Sequence, residues 1–536
     1  MLATVQAATL VGVRGIPVMV EVHVGQGLPG FTIVGLPDAA CREARDRVRA
    51  AVLCSGLKWP QQRITVNLAP SAVRKVGTSL DLAIAFGVLI ADKQLQVDPT
   101  GMACFGELGL DGSVRPVSGV LPMVASLALD DVREVVVPAA NTAEACALGR
   151  HVVRPVESLG ELVRCLRGDE PWSQPRPDEP DDVVAERAPD LCEVRGNAVA
   201  RFAVEVAAAG GHHLLLVGPP GAGKTMLVER LPGLLGVLDA ATSLSVTSIH
   251  SAAGQPVPRS GLIRLPPFRA PHHSSSLVAL VGGGSHQLRP GEISLAHGGV
   301  LFLDELGEFG AAALDALRQP LEEGVVRLSR AHSSAEMPAS FQLVAAMNPC
   351  PCGYGGTVQC RCSAAALLRY ARRLSGPLLD RFDLRVLVEA TSRRDLLDAA
   401  PAEPTASVAE RVSAARRRAI ERGVPANRYL SGRQVEECTR LTDAARERLD
   451  DALAHGRLSG RGLRRVRAVA LTLDDLAGGD GELDEGVVAQ ALLLRSDLSV
   501  GEGAAGWGGV RRAGVSPPGT GGRALPAIRP GRWRRR

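Results

Sequence analysis

The segment Gly218-Pro-Pro-Gly-Ala-Gly-Lys224-Thr225 combines three glycines with a lysine and a hydroxyl, residue types that can enclose and grip a polyphosphate. Gly218, Gly221 and Gly223 carry no side chain to keep backbone N–H groups from a pyrophosphate, and Pro219, Pro220 and Ala222 complete the turn. Lys224 can reach the β- and γ-phosphates, and Thr225 can hold a Mg²⁺. About 75 residues further on, Gly299-Val-Leu-Phe-Leu-Asp304-Glu305 closes an apolar run with two acids, the Walker B pattern. Asp304 there holds Mg²⁺ through water, and Glu305 polarises an attacking water. The run from Phe341 to Asn348 ends in an amide that can orient that water or report the γ-phosphate, an ordinary strand-end asparagine being the alternative. Directly after it, Cys350, Cys352, Cys360 and Cys362 form two close pairs of thiols. Four thiolates fill a tetrahedral Zn²⁺ completely, so such an ion would be structural; the alternative is a reduced, glycine-rich loop.

These residues need elements to place them. Residues 214–217 read as a short buried strand feeding the glycine turn and an amphipathic helix, with a further helix over 198–209 ahead of them. In the first 170 residues, the runs 18–25, 31–37, 63–70 and 134–138 read as strands, and 42–54 and 80–90 as helices, an independent α+β domain. Residues 171–190, rich in proline and acid, read as a semi-extended linker. Residues 411–422, 442–455 and 461–476 have apolar positions three and four apart and read as a small helical bundle. Residues 324–341 read as a hairpin, with 325–330 and the run into Asn348 as its arms.

Several strings resemble known families. Val76-Gly-Thr-Ser-Leu-Asp81 and Gly106-Glu-Leu-Gly-Leu-Asp-Gly-Ser-Val-Arg-Pro-Val-Ser-Gly119 are similar to the proteolytic domain of Lon-type proteases. In that family a serine is paired with a lysine a few dozen residues later; Ser79 falls near the serine, but the lysine's place falls near Leu121, and no lysine lies between Lys93 and Lys224. The expectation is a Lon-like fold without peptidase activity, with Ser79 as a helix N-cap and Asp81 in the first turn. Residues 191–390 resemble AAA+ ATPases, which places Asn348 at sensor 1, Arg381 of Ser-Gly-Pro-Leu-Leu-Asp-Arg-Phe-Asp at the arginine finger serving a neighbouring subunit, and Arg461 at sensor 2 of the lid. Between the glycine turn and the Asp-Glu pair, Phe268-Arg-Ala-Pro-His-His273-Ser-Ser-Ser and the run 281–294, and beyond that pair the hairpin before Asn348, look like the inserts shared by magnesium chelatase motors and MCM helicases. Arg327, Arg330, His332, His272 and His273 then read as pore contacts to phosphate, with the two adjacent histidines equally readable as structural hydrogen-bonders. Arg464, Arg465 and Arg467 read as a solvated or DNA-facing surface.

Taken together, the strings over residues 1–496 are similar to the ComM/YifB family of magnesium chelatase-like AAA+ ATPases. The resemblance implies an α/β chain with a Lon-protease-like, non-proteolytic domain (1–170), the linker (171–190), an AAA+ core (191–390), a helical lid (391–496) and a basic tail (497–536). It implies ATP and Mg²⁺ as cofactors, a homo-hexamer and DNA as partner, in a helicase that promotes branch migration during natural transformation. The alternative is a chelatase-type motor that remodels a protein or inserts a metal into a porphyrin.

Composition sets the outer limits. At 536 residues with 46% apolar content the chain can bury several cores, built from Leu, Val and Ala because aromatics make up only 3%. The formal charge is +4, yet residues 497–536 carry eight arginines against Asp497 and Glu502, so the rest of the chain is slightly acidic and any nucleic-acid groove is local. That tail, glycine, proline and arginine without periodicity, reads as disordered. The start lacks the pattern of a signal peptide and no run reaches transmembrane length, so a cytoplasmic protein without membrane contact is expected. Eleven cysteines there argue for thiols or metal over disulfides.

Overall fold

The computed structural model describes residues 1–174, 189–284, 288–330, 333–355, 359–373, 376–391 and 402–496. Most of the expected linker, the whole basic tail and His332 lie outside the described residues. Among the described residues no helix is long and apolar enough to cross a membrane.

The front domain is built on a seven-stranded mixed sheet. Its strands are β1 (Leu2–Val11), β2 (Arg14–Gly25), β3 (Gly30–Val34), β4 (Arg63–Ala69), β5 (Gly101–Cys104), β8 (Val132–Pro138) and β9 (Val152–Val156), in the order β3-β4-β2-β1-β5-β8-β9. A small hairpin, β6 (Glu107–Leu108) with β7 (Val114–Arg115), stands apart. β2 pairs antiparallel with β1 and β4, and the remaining pairs are parallel. The helix Asp81–Ala91 is buried along its whole length, which suits its run of apolar and small residues. Its N-cap is Leu80, with no side-chain cap, so the expected capping role of Ser79 is corrected. Ser79 is instead buried in a turn whose carbonyl accepts the Gly106 N–H at 3.0 Å. Asp81 does sit in the first turn, where Arg47 Nε donates to it at 2.6 Å. Burial pushes its carboxyl up to about 6 against the pull of that arginine.

The domain does not close its core alone, contrary to the expected independence. Ile249, Ala252, Leu295 and Met337 of the following domain belong to the same buried cluster. An ideal Cβ on Gly12, in the β1–β2 turn, would come within 2.8 Å of Ala335 Cβ. Glu144 accepts the Leu121 N–H at 2.6 Å and also the hydroxyl of Ser251 across the boundary.

The central domain carries a five-stranded parallel sheet of β10 (Leu214–Val217), β11 (Phe268–Arg269), β14 (Val300–Leu303), β17 (Gln342–Met347) and β18 (Leu384–Leu387), in the order β11-β14-β17-β10-β18. β10, β14 and β17 are buried at every position, as continuous apolar runs covered on both faces must be. After β10 the chain crosses to the far edge and later returns to its other side, so the switch point lies at the carboxyl end of β10, where open α/β sheets bind ligands. Two short pairs decorate this sheet: β12 (Gly282–Gly283) with β13 (Arg289–Pro290), and β15 (Val325–Arg330) with β16 (Ser333–Pro338). The second is the expected hairpin, but its returning arm is Ser333–Pro338 and not the run into Asn348, which is the central strand β17. Behind the sheet pack the helices Thr405–Glu421, Asp443–Ala454, Gly460–Ala477 and Glu485–Leu493.

β17 and the turn before it are pinned by two imidazoles that act as acceptors, His213 buried and His297 half-buried. His213 Nδ1 takes the Leu343 N–H at 2.8 Å, and His297 Nδ1 takes the Ser340 N–H at 3.0 Å. A ring nitrogen that accepts from a backbone amide must be unprotonated. Burial accordingly holds both below the ordinary histidine value of 6.5, His297 at about 4. Between those two values the unfolded chain binds a proton at this site that the folded chain does not, so stability is complete above pH 6.5 and is lost as the pH falls towards 4. His297 alone is expected to contribute roughly 3 kcal/mol of this slope. Melting curves at stepped pH check it: His297→Asn, which keeps an acceptor but cannot titrate, should flatten the curve over that interval.

Candidate nucleotide site

The glycine turn wraps the carboxyl end of β10. Gly223 has φ +80°, a conformation that favours glycine, and directly precedes the helix Lys224–Val228. At Gly218 an ideal Cβ would lie 2.3 Å from the Val388 carbonyl oxygen, so no side chain fits there. Pro219, Pro220, Gly221 and Ala222 form the arc between them, and Asn197 Nδ2 holds that arc by donating to the Ala222 carbonyl at 3.2 Å.

Lys224 is buried and its Nζ donates to the carbonyls of Gly218 at 2.8 Å and Pro219 at 2.9 Å, and to Asn348 Oδ1 at 3.1 Å. Burial lowers the Lys224 ammonium, and Asp304 and Glu305 offset part of that. The ammonium thus waits on neutral oxygens beside two acids, a setting in which an arriving phosphate is its strongest partner. The Thr225 hydroxyl donates to Asp304 Oδ2 at 2.7 Å, so the two side chains expected at Mg²⁺ are already neighbours. Oxygen donors of this kind, one hydroxyl and one carboxylate beside a phosphate cradle, fit the hard Mg²⁺ ion. Asn348 ends β17 next to them, and its carbonyl accepts the Tyr370 hydroxyl at 3.0 Å.

Glu305 follows Asp304 with φ +52°, an uncommon backbone state for a residue with a side chain. Its N–H donates to Asp304 Oδ1 at 2.8 Å, which ties the turn to the metal-side acid. Its carboxylate lies 3.1 Å from His273 Nδ1. His273, read from sequence as a pore contact or a structural hydrogen-bonder, therefore faces Glu305. Its ring lies 4.1 Å from that of His272, which turns to the Ser274 hydroxyl at 2.7 Å.

The other expected residues lie outside this cluster. Arg381 is 8% exposed and pairs with Glu322 of its own chain, its Nη1 donating to the Pro377 carbonyl at 2.5 Å. Arg461 is exposed in the first turn of the helix Gly460–Ala477. Arg327 is exposed on β15 between Glu323 and Glu336, at 2.9 Å from the latter. Arg330 ends the same strand. The surface position expected for Arg464, Arg465 and Arg467 holds for Arg464, which is exposed and donates to the Leu430 carbonyl at 2.8 Å, and is corrected for Arg465 and Arg467: Arg465, half-buried, lies 3.4 Å from Asp383, and Arg467, half-buried, binds Thr439. Arg467 thus fastens the helical domain internally, and Arg465 ties it to the residue that precedes β18. The sulfurs of Cys350, Cys352, Cys360 and Cys362 all lie within 4.8 Å of one another beside Asn348.

A parallel sheet in this strand order, with a glycine turn, Lys-Thr, Asp-Glu and Asn on three adjacent strand ends, is the site of a magnesium chelatase-type protein. The sequence comparisons agree: residues 190–396 match the profile of magnesium chelatase subunit ChlI, residues 20–141 a second ChlI profile, and residues 402–495 that of the ChlI C-terminal region. An uncharacterized protein of Mycobacterium tuberculosis is 48% identical over 90% of this chain and 97% of its own. YifB of Escherichia coli, also uncharacterized, is 41% identical over 89% of this chain and 94% of its own. The competence protein ComM of Haemophilus influenzae is 40% identical over 92% and 97%. Within the chelatase-type class, the chain belongs to the ComM/YifB family.

Proposed function

We propose that this chain is an ATP-hydrolysing, ring-forming motor that moves DNA, acting as a helicase in branch migration during natural transformation. The observation that carries the ATPase half is the contact of Lys224 with Asn348 and of Thr225 with Asp304, which joins three separate strand ends at one phosphate-sized cradle. In this reading Lys224 and the glycine turn bind the triphosphate, Thr225 and Asp304 hold Mg²⁺, Glu305 takes up a proton from water, and Asn348 orients that water. Bound Mg²⁺ would neutralise charge on the phosphates as the terminal bond breaks. Arg381 supplies a cation to the neighbouring subunit's nucleotide once it exchanges Glu322 for phosphate, and Arg461 does so from the lid.

The DNA half is supported by the relationship to a competence protein and by the β15–β16 hairpin, which bears the exposed Arg327. The division proposed is a Lon-like, non-proteolytic domain (1–170), linker (171–190), AAA+ core (191–390), lid (391–496) and basic tail (497–536). The front domain has a hydrophobic Leu121 where a Lon base would stand, and the Leu121 N–H is already engaged by Glu144.

ATP turnover with and without forked DNA at low salt tests the proposal. DNA should raise the rate several-fold, the effect should fade as salt competes for phosphate contacts, and ATP should drive assembly of six chains. If DNA changes neither rate nor assembly, the chelatase-type reading, a motor acting on a protein or metal-insertion partner, replaces it.

A further inference from the structure

Immediately after Asn348 the chain leaves the sheet through Cys350 and Cys352, and it returns through Cys360 and Cys362 to the helix Ala364–Arg373. Sulfur separations are 3.3 Å for Cys350–Cys352, 3.8 Å for Cys350–Cys360 and 3.7 Å for Cys352–Cys360, and all four cysteines are free thiols. Around a tetrahedral ion with metal–sulfur bonds of about 2.3 Å, neighbouring sulfurs stand roughly 3.8 Å apart. Disulfide sulfurs would stand about 2 Å apart. The donor set is all sulfur, which selects a thiophilic ion such as Zn²⁺ over the oxygen-seeking Mg²⁺. Cys350 is fully buried and the other three are half-buried, so the group is enclosed as a structural zinc site is.

The surroundings give the ion something to hold. An ideal Cβ on Gly353, φ +84°, would lie 2.6 Å from Pro220 Cδ, so the backbone of the cysteine loop rests directly on the glycine turn. At the loop's other end Asn348 takes the Lys224 ammonium. The loop therefore touches the phosphate cradle twice, once on its outer wall and once through its lysine.

We propose that Cys350, Cys352, Cys360 and Cys362 bind one Zn²⁺ and that this ion fixes the loop as the outer wall of the nucleotide site, so that zinc occupancy sets nucleotide affinity. The coupling rests on the nucleotide reading above; the metal site itself does not. With the ion bound, Pro220 and Asn348 are held in place before ATP arrives. Without it, ATP binding must also order the loop, which weakens affinity.

Full-length protein purified under reducing conditions should contain about one zinc per chain by elemental analysis. Cys352→Ser with Cys360→Ser should abolish it. Removing zinc from the wild type with a chelator should weaken binding of a fluorescent ATP analogue about tenfold, and Zn²⁺ alone should restore it. Cobalt added to the stripped protein should give the visible spectrum of a tetrahedral thiolate site, a readout that needs neither ATP nor the double variant. Absence of both zinc and that spectrum overturns the site. Stoichiometric zinc whose removal leaves analogue affinity unchanged overturns the coupling. A zinc-loaded wild type that binds no analogue overturns the nucleotide reading, and with it the coupling, while the cobalt spectrum still upholds the metal site.

Discussion

Glu305→Gln is expected to reduce ATP turnover by at least about 100-fold while leaving ATP binding and ATP-dependent assembly intact. The amide is the same size as the carboxylate and can remain near His273, so the cradle of Lys224, Thr225 and Asp304 keeps its shape. What it cannot do is accept a proton from water. The backbone at this position is already held in a left-handed state, at a typical cost of about 1–2 kcal/mol. A fold that tolerates such a turn at one acid in a site is spending stability on where that carboxylate points. His273 then has a positioning role, since it lies 3.1 Å from that carboxylate. His273→Ala should lower kcat about tenfold with KM for ATP unchanged, and His273→Asn, which retains a donor, should recover part of the loss. If the alanine variant raises KM and leaves kcat alone, His273 acts on binding and the positioning role fails. Single-turnover hydrolysis in parallel with equilibrium binding separates the two.

Much of this site was legible before any coordinates. The glycine turn and the two acids work through backbone geometry at strand ends, and that geometry demands particular residues at particular spacings. The central strands were equally plain, because strands buried on both faces read as unbroken apolar runs, as in Leu214–Val217 and Val300–Leu303. β1 is harder to read because Leu2–Val11 loses its alternation after Val5, where Ala7 to Leu10 are all buried, although it is the strand that pairs with β2 along its whole length. The returning arm of the hairpin escaped because Ser333–Pro338 is largely polar, while its neighbour β17 of equal length offered a far stronger apolar pattern. Ser79 looked like a helix cap because it precedes an acid and an apolar run, but the turn it occupies is set by tertiary contacts with Gly106. Roles that depend on which distant side chain lies opposite, such as His273 against Glu305 or Arg465 against Asp383, have no local signature at all.

That last pair gives the second large expectation: Asp383→Ala should cost about 3–5 kcal/mol of stability and loosen the helical domain from the sheet. Asp383 is buried at the start of β18, where its carboxylate accepts the His213 N–H at 2.9 Å, lies 3.4 Å from Arg465 Nε and stands 3.8 Å from His212 Nδ1. Burial alone would raise this carboxyl, but the adjacent His212 and the positive charge of Arg465 hold it well below the usual carboxylate range. The group is therefore ionised whenever the protein is folded near neutral pH, and its removal leaves the half-buried Arg465 without its counter-charge. Neighbouring bonds spread the damage: His212 Nε2 reaches the Thr472 hydroxyl at 2.8 Å, and Asn427 Nδ2 reaches the same hydroxyl at 3.1 Å. A thermal melt should fall by on the order of 10 °C, and limited proteolysis should cut first among residues 402–496. Glu437→Ala, which removes an exposed ion pair with Arg433, is the control and should shift stability by less than about 0.5 kcal/mol. Asp383→Asn should fall between the two, since the amide still accepts the His213 N–H but offers Arg465 no charge. Because Arg461 begins the helix that Arg465 anchors, the alanine variant should also lose ATP turnover at temperatures where the P-loop remains folded. A variant that melts like the wild type would mean that the helical domain is held by its apolar contacts alone.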